Sequence, residues 1–339
     1  MGSGASRRTR VLFIHPTMSS FIQADLDMLR KRFDVRAIDA GSKKGLSGAV
    51  GAGWQLFKGV LWADVTFSWF AEKHAKWAVM CSRTFGKPSV VVVGGYEVTK
   101  LPELGFGSLL DPKKAKMVRY ILTRATKVLP VDDDLRIRAV QNLGIDASNF
   151  LVVPTGYDSK HFSSAGSNER TVVSVGYFSD WTRVLVKGFD TLVEAARKLP
   201  DVRFVIIGGN GEAVAKLKEM SPSNVEILPP MWHDEVIPIF QKAKVYAQLS
   251  RTEGLPNALC EAMLCECVPV GTRIPGIEHA IGDTGFYVAA DDASDAASAI
   301  RKALAAPEMG VKARNRIAEV FPKEKREKAL LEVIQGLLA

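Results

Sequence analysis

"VVPTGYDSKHFSSAGSNERTVVSVGY", residues 152–177, divides the 339-residue chain into two halves with the same alternating pattern. Its first part, through Arg170, is polar and rich in Gly and Ser, the composition of a connection, and its end restarts a β-branched run. Before it come five strand-like runs, RVLFIH (10–15), VRAID (35–39), ADVTFSW (63–69), PSVVVVGG (88–95) and ATKVLPV (125–131). Amphipathic segments such as SFIQADLDMLRKRF (20–33) separate them. After it the alternation resumes with TVVSVGY, VRFVIIGG, NVEILPP, KVYAQLS, CVPVGT and GFYVAA, with helical runs such as KGFDTLVEAARKL between them. Strands alternating with helices make a parallel sheet covered on both faces, so the fold class is α/β with two open, Rossmann-like domains. The expected boundaries are 1–160 and 161–320, with a closing helix at 321–339 that has a clear apolar face. Two such sheets would create a cleft, with functional residues just after the strands.

The bulk numbers fit this reading. A chain of 339 residues that is 47% hydrophobic suits two domains. No apolar stretch reaches the roughly 18 residues that would cross a bilayer. The run VLFI (11–14) is too short for a signal-peptide core, so a cytoplasmic site is expected. Gly2 with Ser6 matches a myristoylation pattern, although small polar residues there also look like a cloning scar. Cys81, Cys260, Cys265 and Cys267 offer no CxxC pair and read as reduced core thiols. The net charge of +8 is uneven: residues 1–165 hold 24 Lys and Arg against 14 Asp and Glu, and the remainder holds 21 against 23. The first half is therefore expected to meet something anionic.

The chemistry concentrates in TEGLPNALCEAM (252–263), which reads as loop and then helix. Pro256 suits the first helical position, and the free amides of Asn257 and its neighbours make an anion-attracting end. Glu261 lies about 7 Å along that helix, and Glu253 stays at the edge of the loop. Carboxylates accept hydrogen bonds from hydroxyls, so an anion flanked by two polyols fits, such as a diphosphate between a sugar and a ribose.

This stretch resembles the E-x7-E motif of the retaining GT-B glycosyltransferases of family 4, the glycosyl transferases group 1 type. VVPTGYDSKHF, VKGFDTLVEAA, VIIGGNGE and VPVGTRIPGIEHAIGDTGFYVAADD resemble four further family segments in the right order. The resemblance implies a GT-B fold whose last helix crosses back to the first domain. It also implies a nucleotide-diphosphate sugar, UDP- or GDP-linked, as donor, with no other cofactor and no metal. It assigns Glu253 to hydroxyls of the transferred sugar and Glu261 to the ribose, with the amides of Gly254, Leu255, Pro256 and Asn257 (Pro256 itself lacking an N–H) near the phosphates. Lys187, just before Gly188, and Arg183 would hold the diphosphate. Arg183 departs from the family pattern, in which the arginine directly follows the strand glycine; here Tyr177 follows Gly176. Trp232 and His233 stand where relatives frame the base, and a helix-capping turn explains them equally well.

On the acceptor side the family histidine is missing, and Gly94, Gly95, Tyr96 and Glu97 occupy its turn. Either Tyr96 or Glu97 would substitute, or the contact is absent. His15 ends the first strand and could reach the cleft or serve the fold. VDDDL (131–135) suits a helix cap better than a metal site. The basic amphipathic stretch 111–127 would lie on an anionic membrane surface, giving a cytoplasmic protein peripheral on the membrane face. Nothing marks a nucleic-acid platform. The expected activity is retaining transfer of a sugar to a glycan or lipid-linked acceptor. The alternatives are a non-catalytic nucleotide-sugar-binding subunit of the same fold, and a dinucleotide-dependent oxidoreductase, which lacks its G-x-G-x-x-G turn.

Overall fold

The computed structural model describes residues 7–41, 46–164, 166 and 169–339, with backbone alone at 46–50; Gly2 and Ser6 lie outside the described residues. The chain forms two units. One takes the described residues up to Pro102, then Gly107–Gly156 and Glu324–Ala339; the other takes Glu103–Phe106 and Tyr157–Lys323.

The first unit runs β1 (Arg10–His15), α1 (Ser20–Arg30), β2 (Asp34–Asp39), α2 (Leu46–Trp62), β3 (Val65–Trp69), α3 (Lys73–Thr84), β4 (Ser89–Val93), α4 (Pro112–Arg124), β5 (Lys127–Pro130) and α5 (Asp133–Leu143). Its five strands lie in the order β2-β1-β3-β4-β5, every neighbouring pair parallel. Every residue of β3 and β4 is buried; β4 reads as a continuous run of valines, whereas β3 alternates but buries its Thr66 and Ser68 too, Thr66 Oγ1 lying 3.0 Å from Ser82 Oγ. Asp132 caps α5 by accepting from the Asp134 amide, while Asp133 pairs with Arg136 and Asp134 with Arg138, so VDDDL starts a helix.

The second unit runs β6 (Glu169–Phe178), α6 (Trp181–Lys187), α7 (Phe189–Arg197), β7 (Arg203–Gly209), α8 (Glu212–Met220), β8 (Val225–Leu228), α9 (His233–Lys242), β9 (Ala243–Gln248), α10 (Asn257–Leu264), β10 (Val268–Thr272), α11 (Pro275–Ile281), β11 (Phe286–Val288), α12 (Ala293–Ala305) and α13 (Glu308–Val320). Its strand order is β11-β10-β9-β6-β7-β8, again all parallel. The order reverses between β6 and β9, and such a switch point leaves a crevice beyond the strand ends. Cys260, Cys265 and Cys267 are buried free thiols, and burial pushes Cys260 and Cys265 up to about 12, so they are packing groups. The last helix, α14 (Lys323–Gly336), returns to the first unit, where Arg326 reaches Asp25.

Three expectations need correcting. The start of the 152–170 connection is packed: Val153 and Tyr157 are buried, and the Val153 amide donates to the Pro130 carbonyl. The helix expected to open at Lys187 is two helices, because Gly188 turns left-handed (φ 67°) and ends α6 before α7 begins. The apolar side chains of the basic stretch 111–127 do not face outward. Val118, Ile121 and Leu122 of α4 are fully buried in the first unit, so what this helix exposes is mostly its cations, Lys113, Lys114, Lys116, Arg119 and Arg124.

Candidate active site

The switch point brings together the loop after β9 and the junction of α6 with α7. A Cβ on Gly188 would sit 2.0 Å from the Leu249 carbonyl oxygen, and the Arg251 amide donates to the Val186 carbonyl at 2.8 Å. That stitching sets Lys187, the last residue of α6, over the end of β9. Its Nζ lies 2.7 Å from Glu253 Oε1, and both side chains are largely buried. The same oxygen accepts from Ser250 Oγ at 2.7 Å and from Gln248 Nε2 at 3.0 Å. Tyr246 Oη in turn donates to Gln248 Oε1 at 3.1 Å. A buried row of polar groups thus fixes the Glu253 rotamer, and a fixed carboxylate is ready to receive hydroxyls without reorganising.

Past Glu253 the loop runs tight against the start of α11, where a Cβ on Gly276 would fall 1.5 Å from the Gly254 oxygen. α10 begins at Asn257, one residue later than expected, with Pro256 as N-cap and no side chain capping its amides. Uncapped first-turn N–H groups present partial positive charge to an anion. Tyr157 Oη donates to Asn257 Oδ1 at 2.8 Å. One turn on, Glu261 is buried with its Oε1 3.1 Å from His233 Nε2. The Glu261 carboxylate, first among the causes, raises the His233 pKa above its ordinary 6.5.

Some expected groups stand apart. Arg183 turns back to Asp180, Nε to Oδ2 3.3 Å, and lies 5.8 Å from the Tyr177 ring centre. The Trp232 side chain is 83% exposed. In the first unit, His15 ends β1 buried beside Phe13, and its pKa is lowered by that burial. Of the two residues proposed to replace the missing histidine, Glu97 turns inward. Its carboxylate accepts from the amides of Ala71, Gly94 and Gly95 and ties the turn after β3 to the turn after β4. Gly95 makes that turn at φ 140°, which leaves Tyr96, 43% exposed, as the outward side chain.

Sequence reasoning did not single out Gln248, Ser250 and Tyr246, whose only signal was polar atoms at the end of an apolar strand. It also overlooked Arg251, which pairs with Asp190 at 3.0 Å and with Asp291. His161, stacked on His233 with ring centres 5.9 Å apart, was another omission.

Two parallel Rossmann-like sheets of five and six strands give the chain the GT-B fold. Residues 169–306, within the second unit, match the family described as glycosyl transferases group 1. A phosphatidylinositol N-acetylglucosaminyltransferase component from Arabidopsis thaliana is 27% identical over 222 residues, 62% of this chain and 49% of its own length. The D-inositol 3-phosphate glycosyltransferase of Mycolicibacterium smegmatis is 25% identical over 262 residues, 72% of this chain and 58% of its own. The chain thus spans about half the length of the curated relatives it matches. Among solved structures, Anabaena Alr3699/HepE in complex with UDP and glucose aligns with a TM-score of 0.80 at 14% identity, covering 97% of this chain and all of that one. The sucrose-phosphate synthase of Thermosynechococcus elongatus aligns at 0.79 and 15%, covering 98% and 99%.

Proposed function

We propose that this chain transfers a sugar, with retention, from a UDP-sugar to an anionic polyol acceptor and needs no metal to do so. The observation that carries the reading is the Lys187–Glu253 pair at 2.7 Å beside the uncapped start of α10. Before donor arrives, Lys187, Ser250 and Gln248 occupy the oxygen that sugar hydroxyls would take. When the diphosphate binds, Lys187 shifts its charge to the phosphate and Glu253 accepts from the sugar. The anomeric carbon–oxygen bond to the diphosphate breaks as the acceptor oxygen bonds to that carbon on the same face. The acceptor proton passes to the leaving diphosphate, so the protein supplies electrostatic stabilisation by Lys187 and the α10 amides, with Arg183 joining only if it leaves Asp180. Glu261 holds the ribose. UDP is favoured because HepE binds UDP and UDP-glucose. An inositol-phosphate group, free or lipid-linked, suits both the names of the sequence relatives and the basic first unit.

Calorimetry with UDP, GDP and ADP and their glucose and N-acetylglucosamine conjugates, in excess EDTA, tests this. UDP-sugar should bind at one site per chain and be consumed with inositol 1-phosphate or phosphatidylinositol present. If no nucleotide binds, the reading fails; if UDP-sugar binds but is never consumed, the chain is a binding subunit.

A lipid-borne acceptor is favoured by a surface on the first unit. Trp54, Leu61, Trp77 and Phe85 are exposed on α2, on α3 and at the end of α3, where Phe57 joins the two helices by an edge contact of 5.9 Å with Phe85. Lys58, Lys73, Lys76 and Arg83 are exposed on the same helices. Aromatic side chains ringed by cations suit the interface of an anionic bilayer, which each cation near the surface favours by about 1 kcal/mol. The protein should sediment with phosphatidylserine vesicles at low salt, and Trp54→Ser with Trp77→Ser should abolish it. Sedimentation unchanged in that variant would return the contact to the α4 lysines.

A further inference from the structure

His161, His233 and Asp234 form a second group of chemistry-bearing side chains in the second unit. His233 opens α9, Asp234 follows it in the first turn, and His161 arrives from the connection after Tyr157. His233 Nδ1 lies 3.7 Å from Asp234 Oδ1, and His161 Nε2 lies 3.8 Å from the same oxygen. All three donor atoms fall within 4.8 Å of one another. The two imidazoles are nearly parallel, 11° apart, and the buried Phe162 ring stands edge-on to both, at 5.1 Å and 5.7 Å.

Phe162 thereby limits rotation of the rings, and the outer side of the group stays open, since His161 and Asp234 are exposed. A second observation points the same way. His233 Nε2, the nitrogen away from Asp234, is buried without an aligned hydrogen bond, and its nearest acceptor is the buried Glu261 carboxylate at 3.1 Å. A carboxylate behind one imidazole nitrogen favours the tautomer that leaves a lone pair on the other, and metal-binding histidines are commonly oriented this way.

We propose that His161 Nε2, His233 Nδ1 and the Asp234 carboxylate bind one divalent ion of the zinc class, with water completing the site, and that its binding weakens nucleotide affinity. Two imidazoles and one carboxylate suit zinc, whose bonds of about 2.0–2.2 Å place tetrahedral donors about 3.3 Å apart. The two distances to Asp234 reach that with shifts of about half an ångström, and the two histidine nitrogens, within 4.8 Å of each other, close by turning the exposed His161 ring. The two exposed side chains can make them at little cost. The effect on nucleotide follows from His233. A metal on Nδ1 withdraws electron density from the ring and holds Nε2–H against Glu261 Oε1, removing that oxygen from the ribose hydroxyls. This coupling rests on the donor role of Glu261 proposed above, whereas the metal site itself does not.

The test uses tag-free full chain. Cobalt(II) should give the visible absorption of an ordered low-symmetry site, saturating at one ion per chain and displaced by zinc. His161→Ala and Asp234→Asn should each lower zinc affinity at least tenfold against a chromophoric chelator, while Cys81→Ser leaves it unchanged. Because both altered side chains are exposed, the fold should persist, which circular dichroism checks. Absence of stoichiometric binding, or affinity unaltered in both variants, overturns the site. UDP affinity, measured by calorimetry with and without zinc, should fall several-fold in the wild type and stay constant in His161→Ala, where chelation of zinc by UDP is the same. An equal zinc effect in both proteins overturns the coupling. If UDP fails to bind even without metal, the donor reading falls while the cobalt titration still decides the site.

Discussion

Lys187 holds Glu253 at 2.7 Å, and the failure expected on its loss differs from that expected on loss of Glu261. A contact to the leaving diphosphate strengthens as charge grows there, so Lys187→Ala should cost on the order of 3 kcal/mol in the transition state, about a hundredfold in kcat. In the proposed function Glu261 holds the ribose, a part of the donor that does not react, so Glu261→Ala should raise KM with little change in kcat. Steady-state kinetics on the two variants checks this; equal loss of affinity with unchanged turnover in both would overturn the assigned roles. At this scale the resemblance brought out Glu253, Glu261 and Lys187, but not the groups that hold them. Gln248 and Ser250 lie at and just beyond the end of β9, and a sequence does not reveal that both side chains converge on one oxygen. His161 was illegible for another reason: it meets His233 only through the fold, from a connection that composition marked as a linker. Arg183 shows the converse, a residue placed by its spacing whose nearest acid, Asp180, holds it elsewhere.

The elements were legible where burial is uniform and misread where it is not. β4 is buried on both faces, and its run of four valines between Ser89 and Gly94, too short for a helix, reads as a strand of a covered sheet. α4 has an apolar stripe, and periodicity alone cannot tell a stripe facing a sheet from one facing lipid; Val118, Ile121 and Leu122 face the core. α6 was missed because WTRVLVK is seven residues with two valines, a poor helix by propensity, held by the Asp180 cap at one end and Gly188 at the other. That makes Gly188→Ala informative. A left-handed alanine costs about 1–2 kcal/mol, and its Cβ would meet the Leu249 carbonyl at 2.0 Å, so α6 must move and carry Lys187 with it. Activity should fall with stability, whereas Gly86→Ala, also left-handed (φ 63°) but in open space, should lose stability alone. Thermal melts and rates on the pair separate the two effects.

A pH dependence belongs to the first unit. Burial lowers the pKa of His74, whose Nε2–H donates to the Trp69 carbonyl at 2.7 Å, and also lowers that of His15. Above the ordinary 6.5 both folded and unfolded chains hold these rings neutral, and the contribution is complete. As pH falls below 6.5 the unfolded chain takes up protons that the folded one refuses, so stability declines until the lowered native values are reached. Urea midpoints should therefore drop between pH 7.5 and pH 5, and His74→Gln should flatten part of that slope; a midpoint rising toward acid would reverse the sign argued here.

For the whole molecule, the first unit is completed by a helix from the far end of the chain. Arg326 of α14 is 3% exposed and Asp25 of α1 is 1% exposed. The guanidinium donates to both Asp25 oxygens, at 2.5 and 2.6 Å, and to the carbonyls of Val153 and Pro154, at 2.7 and 2.9 Å. Trp69 Nε1 donates to Asp25 Oδ2 at 3.0 Å. The helix itself was expected from its amphipathic pattern and from the resemblance, but the two residues that anchor it were not, because neither has a local sequence partner. A buried pair of this kind is close to neutral against a well-packed apolar replacement, yet removing one member leaves the other charge desolvated. Arg326→Ala should therefore destabilise the first unit by about 3–5 kcal/mol, and Asp25→Ala by a similar amount. The double variant should lose much less than the sum, since neither charge then remains without its partner. Denaturant unfolding of the three variants closes the cycle. If the two single losses simply add, Arg326 and Asp25 do not depend on each other, and α14 would be held to the first unit by the packing of Leu330 and Ile334, both fully buried.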